Sequence, residues 1–162
     1  QVGQGSMFSI LLPRVDAVPA APVPVLAVRP QASGDSLAGL RVLCVDNDRE
    51  ILDGMRALLG RWQVEVITAS TVDQALELAR ERPDVMLVDY HLHDRLDGLD
   101  TLDTLDALQA AAVDPIAGAL LTADGRDELK QLARQRGYRL LTKPVKPASL
   151  RAFLSAYHDT MR

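Results

Sequence analysis

The chain has 162 residues, 48% hydrophobic and 25% charged, which is enough for one domain of ordinary size plus a tail. A net charge of −4 and a pI near 5.3 argue against general nucleic-acid binding, which shows as a basic stripe. The single cysteine, Cys44, excludes an intrachain disulfide and a cysteine-rich zinc site, and its place inside "RVLCV" predicts a buried, inert thiol.

No apolar run approaches the ~20 residues that a membrane span needs, and no basic start followed by a small-residue cleavage site marks a signal peptide. The default expectation is therefore a cytoplasmic protein, with neither nucleic acid nor direct membrane contact. The chain changes character near residue 39. Residues 14–38 carry Pro19, Pro22, Pro24 and Pro30 among Ala and Val, a composition that favours extended, semi-rigid linker. Ahead of them, residues 1–13 hold a Gly-rich turn and the apolar run "MFSILLP". The first residue is Gln rather than Met, which fits a piece cut from something longer.

Residues 39–162 form the second part, in which strand-like and helix-like segments alternate. "RVLCV" (41–45) is a short Val- and Leu-rich run, as a strand covered on both faces should be. In 49–62, Ile51, Leu52, Met55, Leu58 and Leu59 recur at helical spacing, with Asp48 placed to cap the helix. A strand over 64–69 follows, then a helix over 70–82 that opens on Ser70 or Thr71. Strand 84–90 ends in an acid. Helix 98–111 and strand 116–124 come next, then helix 125–137 closed by Gly137. Strand 138–144 and helix 147–162, with Pro147 in its first turn, complete the chain. Strict alternation implies βαβ units and a parallel sheet covered on both faces. In such sheets the ligand sits at the carboxyl ends of the strands.

That rule sorts the polar residues. The first strand ends in Asp46, Asn47 and Asp48, the third in Asp89, the fourth in Thr122 and the fifth in Lys143. Carboxylates set close together repel each other unless a cation, a proton or a phosphoryl group intervenes. Asp46, Asp89 and Asn47 offer hard oxygen ligands suited to Mg2+, which prefers octahedral oxygen at ~2.0–2.1 Å. Lys143 supplies a point charge for a phosphoryl oxygen or a carboxylate, and the Thr122 hydroxyl can donate to the same phosphoryl group. A second chemistry stays open at this point: Asp46 as a phosphatase nucleophile with Asp48 as its general acid.

The motifs "VLCVDND", "DVMLVDYHL", "LLTAD" and "LLTKPV" together resemble those of a response-regulator receiver domain of two-component signalling, over residues 40–162. The resemblance implies a flavodoxin-like (βα)5 fold, a doubly wound parallel five-stranded sheet of order 2-1-3-4-5. It implies Asp89 as the phospho-acceptor, and Mg2+ (or Mn2+) held by Asp46, Asn47, Asp89 and the backbone carbonyl of His91. Thr122 and Lys143 become the switch pair, and Asp48 a helix cap beside the site. The implied partner is a histidine kinase or histidine phosphotransfer protein, the parent protein's own kinase core, or a second copy of the chain. The second half of the first helix and the loop around Lys143 would be the docking face. The receiver itself would catalyse only its own phosphorylation and dephosphorylation.

Three positions depart from the family's pattern. Asn47 stands where a second acid is more common, which predicts weaker Mg2+ binding. His93 replaces a proline four residues after the acceptor, and Gly98 comes one residue late, so this loop should take a different path. Leu140 replaces an aromatic that usually couples to the threonine. At the other end, "VGQGSMFSILLP" is similar to the last turn and strand of histidine-kinase ATP-binding domains, which implies the tail of a hybrid sensor kinase. The competing reading takes Gln1–Ser6 as a cloning remnant.

Two other readings of the receiver region are a haloacid-dehalogenase-like phosphatase using Asp46 and Asp48, and a phosphate-independent docking module. The phosphatase needs an acidic motif on a strand beyond the lysine, where only a helix follows, and it leaves Asp89 without a task. His91 and His93 read as loop residues, since zinc needs three or four ligands. Asp94, Asp97, Asp100, Asp103 and Asp106 read as the solvated side of a helix. Trp62 reads as a core or rim aromatic at a helix end.

Overall fold

The computed structural model describes residues 37–92, 98–123 and 125–160. Residues 1–13, most of the 14–38 linker, His93, Asp94 and Asp97 lie outside them.

Five strands, β1 (Arg41–Val45), β2 (Glu65–Ala69), β3 (Val85–Asp89), β4 (Ala117–Thr122) and β5 (Arg139–Thr142), pair in parallel in the order β2-β1-β3-β4-β5. Helices α1 (Arg49–Gly60), α2 (Val72–Leu78), α3 (Gly98–Ala111), α4 (Asp127–Gln135) and α5 (Pro147–Thr160) connect or follow them. This is the flavodoxin-like topology that the resemblance implied, on the parallel sheet that the alternation predicted. The two central apolar runs explain it. β1 and β3 alternate side chains between two cores, so apolar residues are needed in succession over 42–45 and 85–88. Val42, Cys44, Val85 and Leu87 face Leu52, Met55 and Leu59 of α1 and Leu150 and Leu154 of α5. Leu43, Val45, Met86 and Val88 face Ala75 of α2, Leu102 and Leu105 of α3 and Leu129 of α4. Registers run Cys44↔Leu87 and Asp89↔Leu121. The polar residues that follow β1, β3 and β4 therefore emerge at one end of the sheet.

Local signals act as read. The Asp48 side chain accepts a hydrogen bond from the Glu50 N–H at 2.8 Å, capping α1. Thr71, not Ser70, caps α2, accepting from the Gln74 N–H at 3.3 Å. The predicted helix over 70–82 is shorter: α2 tightens into one 3-10 turn at Ala79–Glu81, and Arg82 turns left-handed at φ +58°. At the end of α4, Gly137 takes φ +84°, a conformation that costs a residue without Cβ little. Trp62, half-buried just after α1, has the Arg151 guanidinium 5.7 Å from its ring centre, tying α1 to α5.

On the acidic side of α3, Asp103 and Asp106 are exposed as expected and also hold neighbours. Arg136 reaches back to pair with Asp103 at 2.5 Å and with Asp106 at 2.9 Å. The Tyr138 hydroxyl donates to Asp106 at 2.6 Å. Tyr138 lies against Gly118 of β4, where a Cβ would meet its ring carbon Cδ1 at 2.5 Å. A glycine in a buried strand is thus needed to admit the ring.

Candidate functional site

The backbone delivers Asp46, Asp89 and Lys143 to one place. Asp46 and Asp89 follow or end adjacent strands and are 3% and 4% exposed. Lys143 follows β5 on the far side of β4, and its backbone N–H donates to the Thr122 carbonyl at 2.7 Å. Its ammonium lies 3.0 Å from Asp46 Oδ2 and 2.8 Å from Asp89 Oδ1. The Lys143–Pro144 peptide bond is cis.

The two carboxylates are held differently. Asp46 has both oxygens engaged: Oδ1 accepts from the Asp48 N–H at 2.9 Å and Oδ2 from Lys143. Asp89 Oδ1 is buried and has no aligned hydrogen-bond partner. The short distance to Lys143 makes that contact an ion pair whose angle is poor for a hydrogen bond. Burial pulls the Lys143 pKa down, but its close interactions with Asp89 and Asp46 outweigh it, so the pKa lies above the ordinary lysine value. The ammonium is thus charged at neutral pH, and two carboxylates share one cation. Such a hard-oxygen site with excess negative charge fits a divalent cation. Among the described residues, no group of three or more His, Cys, Asp and Glu side chains is close enough to hold a metal.

The other expected residues fall around this centre. Asn47 is exposed beside Asp46, and Asp48 is occupied as the α1 cap. Thr122 ends β4 fully buried, one residue beyond the partner of Asp89. His91 is exposed, its ring edge-on to Tyr90 at 5.0 Å. Leu140 is half-buried in the core on the α4 side of the sheet. A cavity of about 740 Å³ runs along β5 between α4 and α5, lined by Leu140, Phe153 and Tyr157, away from the carboxylates. One residue escaped the sequence reading: Thr101, in the first turn of α3, donates its hydroxyl to the Tyr90 carbonyl at 2.8 Å.

Residues 42–155 match the family model described as the response regulator receiver domain. No curated protein matches the chain. Among solved structures, a response regulator receiver domain protein from Clostridium thermocellum is 26% identical, with a TM-score of 0.62 over 75% of this chain and 95% of that one. The chemotaxis protein CheY4 of Vibrio cholerae is 26% identical, with a TM-score of 0.60 over 72% and 97%. A response regulator from Burkholderia pseudomallei, solved with a phosphorylated aspartic acid, calcium ion and citrate, is 25% identical, with a TM-score of 0.58 over 75% and 71%.

Proposed function

The chain belongs to the response regulator receiver family over residues 42–155, and from that premise we propose that Asp89 accepts a phosphoryl group from a phosphohistidine. The contrast between the two carboxylates carries this reading. Each Asp46 oxygen already accepts one hydrogen bond, whereas Asp89 Oδ1 has only an ion pair beside it. A carboxylate oxygen of Asp89 attacks phosphorus in line. The new O–P bond makes an acyl phosphate, the P–N bond to the donor imidazole breaks, and the imidazole leaves with the electron pair and takes up a proton. Water then hydrolyses the acyl phosphate and returns the carboxylate.

Asp46, Asp89, the Asn47 side chain and the His91 carbonyl would hold Mg2+ or Mn2+. When bound, that ion offsets the charge of the acids and of the incoming phosphoryl oxygens. Lys143 holds its ammonium where a phosphoryl oxygen arrives. The Thr122 hydroxyl donates to the phosphoryl group, drawing the end of β4 inward only in the phosphorylated state. The phosphorylated aspartic acid and calcium ion of the Burkholderia relative support this assignment by likeness. Asp48 caps α1, which supports the helix-cap reading over the general acid of the haloacid-dehalogenase-like alternative.

The partner is a histidine kinase or a histidine phosphotransfer protein. The likeness of 2–13 to the end of a kinase ATP-binding domain supports a hybrid sensor kinase as the parent, with 14–38 as linker.

Incubation with acetyl phosphate and Mg2+, read by intact mass, tests the assignment. One phosphoryl adduct is expected, dependent on Mg2+ and absent from Asp89→Asn. An adduct that survives Asp89→Asn unchanged overturns it. Loss of a covalent intermediate in Asp46→Asn alone favours the phosphatase. No adduct from any donor, with partner binding intact, favours the docking module.

A further inference from the structure

The segment that leaves β3 carries the acceptor and, two residues later, the carbonyl assigned to the metal. It also lacks the proline that the family commonly places at position 93. Tyr90, between Asp89 and His91, is pinned from both sides. Its N–H donates to the Leu121 carbonyl of β4 at 2.8 Å, which fixes the Asp89–Tyr90 peptide plane. Its carbonyl accepts from the Thr101 hydroxyl at 2.8 Å, which fixes the Tyr90–His91 plane. The first bond continues the sheet ladder and would form with many residues at 90. The second depends on one side chain.

A threonine early in a helix ordinarily caps it or bonds a carbonyl of the preceding turn. Thr101 instead reaches eleven residues back to the loop, from a position 2% exposed. The Tyr90 carbonyl loses this side-chain donor if the hydroxyl goes.

We propose that Thr101 is a positioning residue that sets the direction of the His91 carbonyl, and so the divalent-cation affinity of the site, by holding the Tyr90–His91 peptide. The inference rests on the reading of Asp89 and its metal given above. Partners that orient metal ligands without touching the ion typically contribute 10- to 100-fold in affinity.

Titration of the full chain with Mn2+, followed by the electron paramagnetic resonance of the free ion, tests it. Thr101→Val and Thr101→Ala both remove the hydroxyl, so either can serve if the other fails to fold. Each is expected to weaken Mn2+ binding by roughly 10- to 100-fold, and Thr101→Ser to restore it. Tyr138→Phe, a destabilising change away from the site, should leave the affinity unchanged. Wild-type affinity in Thr101→Val or Thr101→Ala, or weak binding that Thr101→Ser does not restore, overturns the positioning role while Asp89 phosphorylation stands. A wild-type chain that binds no Mn2+ and takes no phosphoryl group at Asp89 overturns the underlying reading, and this inference with it.

Discussion

Lys143 holds its ammonium 2.8 Å from Asp89 Oδ1, a buried carboxylate oxygen with no aligned hydrogen bond. The cation comes from the loop after β5 and the acid from the end of β3, so β4 separates the strands that supply them. Because Asp46 shares the same ammonium, one side chain holds two buried acids apart from mutual repulsion.

Lys143→Met should therefore cost about 3 kcal/mol at neutral pH, the low end for breaking a buried pair, since the lysine is 23% exposed. Urea unfolding of both proteins measures this, and a deficit no larger than that of Lys146→Met, at an exposed lysine outside the cluster, would exclude charge pairing as the cause.

Asn47→Asp adds a negative charge beside the proposed ion. Ligand charge tunes such sites, so Mg2+ affinity should rise by about an order of magnitude. At saturating ion that difference adds about 1.4 kcal/mol of stabilisation by mass action. The thermal midpoint with and without Mg2+ reads it. An identical Mg2+-induced shift in both proteins would place the Asn47 side chain away from the ion.

Gly118→Ala puts a Cβ 2.5 Å from Tyr138 Cδ1 and 3.0 Å from Met86 Cε. The ring is held by its hydroxyl on Asp106 and cannot slide away freely. Overpacking of this kind costs about 1–3 kcal/mol. Combining Gly118→Ala with Tyr138→Ala should give much less than the sum of the two losses, as urea unfolding of the double-mutant cycle would show.

Tyr138→Phe tests the hydroxyl itself. Burial first, and then the hydrogen bond to Asp106, raise the Tyr138 pKa above its ordinary value. Its stabilisation is fully present below the unfolded pKa near ~10 and is lost as pH rises beyond it. The phenylalanine variant should lose about 1 kcal/mol at neutral pH and show a shallower alkaline decline in stability. Tyr157, also raised by burial, keeps the decline from vanishing. Unfolding free energies measured from neutral to alkaline pH decide it, and an unchanged slope would exonerate the hydroxyl.

Much of this molecule was legible in one dimension because its signals are local. Apolar runs at 41–45 and 85–89 are strands since both faces are covered, and Asp48 caps α1 because its side chain bonds an N–H two residues on. The carboxyl-end rule then gathered Asp46, Asp89 and Lys143 before any distance was known. Where local signals compete, the reading slipped. Nothing in 70–82 announced that the end of α2 would tighten into a 3-10 turn before β3.

The sequence by itself determined the order of strands and helices, the family and the identities of the polar residues at the strand ends, because hydrophobic period and motif spacing are properties of neighbours along the chain. Only the tertiary structure decided how those residues divide the work. It showed a hydrogen bond on each Asp46 oxygen and none on Asp89 Oδ1, the α3 acids partly engaged by Arg136 and Tyr138, and Gly118 vacated for a ring twenty residues away. Thr101 on the Tyr90 carbonyl belongs with these. Each depends on direction and distance between segments far apart in sequence, and no periodicity encodes a lone pair left without a donor.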